Sequence, residues 1–170
     1  MTTSILRTDR LLLDPYRPED EESFVSLFQD KRVSRWMGNG PQSEAAERAL
    51  FGRIFSKVYA QMLFDVWAVR QDGRFVGHAE IKRTDEVDGH ELVYAIAHDS
   101  WGAGLGTEIA QVLVNYGFEE LGLSDVHATV AEENQASLAL LGRLGFCHVR
   151  DIHEDDGTVT RVLTLSRPAA

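Results

Sequence analysis

The stretch DSWGAGLGTEIA, residues 99–110, places glycines at 102, 104 and 106 and then turns into a helical pattern. A glycine run that opens a helix has two meanings. It is a tight turn if its purpose is positive φ, which glycine adopts without a Cβ penalty. It is an anion site if a phosphate approaches, because the first turn of a helix offers unpaired N–H groups and the positive end of the macrodipole. The flanking segments weigh the two.

Two phosphate-binding rivals weaken on spacing. A Walker loop ends in Gly-Lys-Ser/Thr, and no lysine follows Lys82. A dinucleotide fingerprint needs G-x-G-x-x-G early in a βαβ unit, whereas these glycines are spaced G-x-G-x-G after what reads as an antiparallel meander. That meander is DVWAVRQ (65–71), RFVGHAEIKR (74–83) and ELVYAIAHD (91–99), broken at Asp72-Gly73 and Asp88-Gly89. Asp-Gly suits a type I′ hairpin turn.

Further upstream, RLLLDPY (10–16) is strand-like, and Pro18 with Glu19–Glu22 opens a helix to about Gln29. SRWMGNGP (34–41) is loop, and Ser43 caps a helix whose apolar positions Ala46, Leu50, Ile54, Val58 and Met62 recur every four residues. Downstream, the glycine run opens a helix that ends at Gly122. DVHATVAEE (125–133) is a strand, NQASLALLGRLGF (134–146) a helix closed by Gly145, and 147–166 a hairpin turned at Asp156-Gly157. The order is β-α-α-β-β-β-α-β-α-β-β. It predicts an α/β (α+β) fold with a mixed sheet of about seven strands and helices on both faces. With no linker or repeat in 170 residues, 1–170 reads as a single domain.

ENQASLALLGRLGF joins the glycine run as a second motif. The pair resembles the GNAT N-acetyltransferase superfamily, most closely its RimJ/RimL-like ribosomal-protein-alanine acetyltransferase branch. The branch's Y-x-I-x-P-x-x-W-G-x-G-Y-A-T-E-A stretch is echoed by Tyr94, Ile96, Trp101, Gly102, Gly104, Thr107, Glu108 and Ala110. Its N-x-x-S and terminal L-G-F are matched by Asn134, Ser137, Leu144, Gly145 and Phe146. His98 stands where the branch has proline, Gly142 where it has glutamate, and Leu141 where many superfamily members keep a tyrosine general acid.

The resemblance implies acetyl-CoA as cosubstrate. Its pyrophosphate would lie on Gly102, Ala103, Gly104, Leu105, Gly106 and Thr107, and its pantetheine arm alongside the strand Tyr94 to His98 like an added strand, at Ile96, Ala97 and His98, touching Asn134. The implied activity is N-acetyltransfer to a primary amine by direct attack in a ternary complex. The acceptor class stays open among a protein N-terminus, a polyamine and a small-molecule amine. The alternative is a non-catalytic acyl-CoA-binding sensor or interaction module with the same fold.

Each site residue also has a plainer role. Asn134 before a helix is a good N-cap. Ser137 is the candidate hydroxyl for the leaving thiolate, or a solvated helix serine. Glu80 and Glu91 are the candidates for taking the amine proton, with His78 and His98 behind them, because an amine is mostly protonated near neutral pH. Trp36 and Met37 suit a cleft wall, or simple packing. His78-Ala79-Glu80 spells the H-x-E of zinc deaminases, but their P-C-x-x-C is absent, so no metal is expected.

Composition narrows the partners. The net charge is −10, with the 17 basic residues dispersed, which disfavours nucleic acid and favours a cationic partner or amine substrate. The lone Cys147 and the lack of a long apolar run point to a cytoplasmic setting without a membrane. A homodimer stays open.

Overall fold

The computed structural model describes residues 3–38 and 40–169. Strand β1 (Leu6–Arg7), too short to leave a sequence pattern, pairs with β2 (Leu12–Asp14). A 3-10 turn at Pro18–Asp20 leads into helix α1 (Glu21–Gln29), with the proline and acidic residues where the helix start was expected. A single helical turn, α2 (Lys31–Ser34), precedes the loop read at 34–41, in which Asn39 lies outside the described residues.

Helix α3 (Glu44–Arg53) begins where Ser43 Oγ accepts the N–H of Ala46, the expected cap. It continues as a π-helical stretch, Ile54–Tyr59. That wider turn shifts the angular register, so the four-residue spacing fails at its last member. Ile54 and Val58 are buried, but Met62 is 59% exposed and ends the helix at φ 51°.

Strands β3 (Asp65–Gln71) and β4 (Arg74–Thr84) are joined at Asp72-Gly73, whose φ values of 51° and 77° are both positive, as a type I′ turn requires. Then follow β5 (Gly89–Ile96), α4 (Leu105–Glu119), β6 (Asp125–Ala131), α5 (Gln135–Arg143), β7 (Cys147–His153) and β8 (Val159–Ser166). The strands form one eight-stranded sheet in the order β1-β2-β3-β4-β5-β6-β8-β7. Neighbours are antiparallel except β5 and β6. The expected element order holds, with β1 as the added strand. Among the described residues, no helix is long and apolar enough to cross a membrane.

Alternation along the strands builds two cores. Trp67, Val69, Ala79, Ile81 and Leu92 face α4 and α5, packing with Ile109, Leu113 and Leu141. Val66, Ala68 and Ala95 face the other way, against Phe24, Phe28 and Phe51 of α1 and α3.

The parallel pair β5/β6 is the weak seam. Its register holds at one point, Glu91 opposite His127. On its other side β5 pairs with β4 along Gly89–Ile96, and β6 pairs with β8 along Asp125–Ala131. Beyond Glu91 the sheet is split.

Candidate active site

A cavity of about 1100 Å³ occupies this split. Leu92–Ile96 of β5 and Ala128–Val130 of β6 are its two sides. It extends to the N-terminus of α4 on one face of the sheet and to α1, α3 and the polar residues of β4 on the other. Two sets of side chains that point away from each other are thereby connected.

At the α4 end, Gly102 and Gly104 both have φ 79°, a left-handed conformation that strains any residue with a Cβ. Gly104 is the N-cap of α4 and has no side chain to cap with. The amides of Leu105, Gly106 and Thr107 therefore have neither an intrahelical nor a capping acceptor, an arrangement suited to an anion. Gly106 serves a different need: a Cβ there would stand 2.9 Å from Leu140 and 3.3 Å from Ile96. The loop is braced from behind. Arg10 donates from Nη1 to the Ala103 carbonyl (2.7 Å) and from Nε to Glu108 (2.6 Å), and the Thr8 hydroxyl donates to Glu108 (2.6 Å). These contacts hold Glu108 well ionised against the burial that opposes it.

Of the residues expected along the cosubstrate, Ile96, Gly102, Gly104, Leu105, Gly106, Thr107 and Asn134 line the cavity. Ala97, His98 and Ala103 do not. The Ala97 amide donates to Val76 of β4, His98 packs its ring against Trp101 at 4.6 Å, and the Ala103 carbonyl is taken by Arg10. Asn134 Oδ1 accepts the Ser137 amide (3.3 Å), the capping role, which leaves its side-chain NH₂ free of protein partners among the described residues. The site fits a phosphate-bearing, peptide-like chain. It offers amides for the phosphate and two opened strand edges for the arm.

Ser137 on α5 lies 3.1 Å from the hydroxyl of Tyr94 on β5. Burial pushes the Tyr94 phenol above its usual range, with the Ser137 contact opposing, so the pair is neutral and able to donate. Sequence reading quoted Tyr94 only as part of a motif and missed this second hydroxyl. Leu141, where a tyrosine was looked for, is buried in the α4/α5 core.

On the opposite face, period-2 alternation puts His78, Glu80 and Lys82 of β4 beside Ala95, Val93 and Glu91 of β5. Tyr16 is buried with its phenol raised well above normal, chiefly by desolvation, so it donates to His78 Nδ1 (2.7 Å). The ring then donates from Nε2 to Glu80 Oε1 (2.8 Å). Lys82 Nζ stands 3.0 Å from the other Glu80 oxygen, an ion pair not aligned as a hydrogen bond. Burial opposes the Glu80 charge, yet His78 and Lys82 hold its carboxyl at about 2.

Glu91 is the counterpart. It is buried, its carboxylate accepts from the Thr129 hydroxyl, and desolvation pushes its pKa above the usual carboxylate value despite that bond and Lys82. Two carboxylates on one face are thus driven apart in acidity, the pattern that separates a fixed anion from a proton acceptor. Trp36 and Met37 line the cavity as expected, with Arg35 stacked 4.3 Å over the indole. Cys147 is exposed on β7 and does not line it. Among the described residues no cluster of three metal-ligating side chains occurs.

The acetyltransferase (GNAT) domain family matches residues 10–147. The N-acetyltransferase YoaA of Bacillus subtilis, itself named uncharacterized, is 29% identical over 148 residues, covering 84% of this chain and 82% of that protein. A GNAT-family acetyltransferase from Bacillus anthracis superposes with a TM-score of 0.81 at 19% identity, covering 96% of this chain and 98% of that one. RimL, a ribosomal L7/L12 α-N-protein acetyltransferase solved with coenzyme A, superposes at 0.79 with 12% identity, covering 96% and 98%. At these identities the structural likeness concerns the fold.

Proposed function

The chain belongs to the acetyltransferase (GNAT) domain family, and on that premise we propose that it moves the acetyl group of acetyl-CoA to a primary amine by direct attack in a ternary complex. One observation carries the reading. A single cavity passes through the split between β5 and β6 and joins the α4 anion site and the Tyr94–Ser137 hydroxyls to the carboxylates of the opposite face.

Bound acetyl-CoA supplies the thioester carbonyl, and every other part belongs to the chain. The amides of Leu105, Gly106 and Thr107 hold the pyrophosphate, and the helix dipole favours its charge. The opened edges of β5 and β6 offer backbone partners to the pantetheine amides, with Asn134 beside them. Glu91 takes the proton of the attacking amine, directly or through water, because its raised pKa makes it the better acceptor. Glu80 stays ionised and favours the amine's approach. Ser137, paired with Tyr94, donates to the departing sulfur as negative charge gathers there, an interaction stronger in the transition state than before it. With Cys147 outside the cavity, no covalent enzyme intermediate is invoked.

The test is release of free CoA thiol from acetyl-CoA across a panel of amines: α-amino peptides, diamines and monoamines. Amine-dependent thiol release is expected. Tight acetyl-CoA binding with no release for any amine would instead leave a non-catalytic acyl-CoA-binding module.

A further inference from the structure

Resting on that acetyltransferase reading, we propose that Glu47 recognises the acceptor, binding the second ammonium of a diamine whose first nitrogen is acetylated. Glu47 sits one turn into α3 with Leu50 and Ile54 on the stripe that faces the cavity. The residue is only 4% exposed, and its carboxylate has no hydrogen bond or ion pair among the described residues. The next residue shows that a partner was within the helix's reach. Arg48 turns outward and takes Glu21, Glu22 and Glu44 on the surface. Glu47 turns the other way.

A second group in the chamber is equally unprovided for. Ser34 Oγ, on a residue only 1% exposed, lines the same cavity and has no partner. A carboxylate largely withdrawn from water and left without a partner is disfavoured in its charged form. Burial does push the Glu47 carboxyl above its usual range. The rest of the stripe is apolar and would accept leucine or methionine, so packing does not call for a carboxylate there. A ligand that brings a cation removes the penalty.

The chamber between Glu47 and the reacting end fits the remainder of such a ligand. Phe24, Phe28, Val33, Leu50, Ile54 and Val58 offer aliphatic and aromatic surface suited to a methylene spacer. Glu80 already has His78 and Lys82 beside it, whereas Glu47 has no cation of its own among the described residues. Arg53 and Lys57, exposed side chains that also line the cavity, disfavour a third positive charge and so point to a diamine over a longer polyamine.

The experiment titrates 1,6-diaminohexane and hexylamine calorimetrically into protein saturated with CoA, where no acetyl group can move. Wild type should bind the diamine at least 10-fold more tightly than hexylamine. Glu47→Gln and the volume-matched Glu47→Met should abolish that preference while leaving hexylamine unchanged. Equal binding of both amines by wild type, or a preference that survives both substitutions, overturns the proposal. Turnover with acetyl-CoA separates the two readings. Diamine selectivity without thiol release would sink the acetyltransferase reading alone, and efficient, unselective acetylation would sink the role of Glu47 alone.

Discussion

Two buried ionic clusters sit on the same face of the sheet, and they differ in completeness. Around Arg70 every oxygen and nitrogen that matters is used. Nε meets Asp14 at 2.7 Å, the two terminal nitrogens fork onto Asp20 at 2.8 and 2.7 Å, and Arg17 closes the ring from its backbone amide to Asp20 and its side chain to Asp14. Across the chamber, the buried Glu91 accepts from one hydroxyl, and Glu47 has no hydrogen bond or ion pair among the described residues. A closed network pins β2 and the Pro18–Asp20 turn to β3. The open one leaves carboxylates on the cavity wall with few partners or none.

The comparison breaks most directly at Arg70. Arg70→Met leaves Asp20 buried without its guanidinium and Asp14 with only the exposed Arg17, and removing one partner of such a network destabilises by about 3–5 kcal/mol. Urea unfolding should show that loss; a midpoint unchanged at equal slope would mean that the network is not structural.

Glu91→Gln should act the other way on stability and strongly on rate. It removes a buried charge that desolvation already disfavours, so the melting temperature at neutral pH should hold or rise. Turnover should fall by about 10²-fold or more, the range for loss of a general base. The sign in pH follows from the raised pKa. The base must be deprotonated, so kcat/KM falls as pH drops through the Glu91 value, which lies above that of an ordinary glutamate. That limb should vanish in the variant. Full activity of both Glu91→Gln and Glu80→Gln from pH 6 to 9 would move the proton to water or to a histidine.

The smallest effect is expected at the hydroxyl pair. Ser137→Ala should lower kcat roughly 10-fold, about 1.4 kcal/mol of barrier, with the acetyl-CoA dissociation constant nearly unchanged, because Tyr94 remains beside it. Equal losses in affinity and rate would make Ser137 a residue that positions the cosubstrate. No loss in either would leave it an ordinary helix serine.

Local signals made much of this legible in the sequence. Asp72-Gly73, the Ser43 and Asn134 caps and the glycine loop are each decided within a few residues, and each stands where the pattern put it. What escaped depends on register or distance. Positions 78, 80 and 82 share a face by alternation alone, but only the pairing of Lys82 with Glu91 brings the two candidate carboxylates onto one surface with opposite environments. Tyr94 and Ser137 are 43 residues apart. Glu47 has the look of an ordinary acidic residue in a first helical turn, and its burial becomes visible only when α1 is laid over α3. The π-helical stretch at Ile54–Tyr59 carries no local signal and displaces Met62.

An unpaired strand edge is ordinarily an invitation to aggregate, since its free N–H and C=O groups are a template for any extended chain. Two of the molecule's edges, the β7 rim and the split between β5 and β6, differ in how they meet that hazard. At the rim, β7 is interrupted by a register shift between His148 and Arg150 and carries charged side chains, devices that spoil pairing with a neighbour. Inside the split, β5 and β6 carry no such charges along Leu92–Ile96 and Ala128–Val130, and a Cβ added at the nearby Gly106 would meet Leu140 at 2.9 Å and Ile96 at 3.3 Å. A polypeptide brings a side chain at nearly every residue, whereas a chain of amides joined by bare methylenes brings none. On the proposed reading the cosubstrate, lying along both edges, would also cover the template that another chain could use.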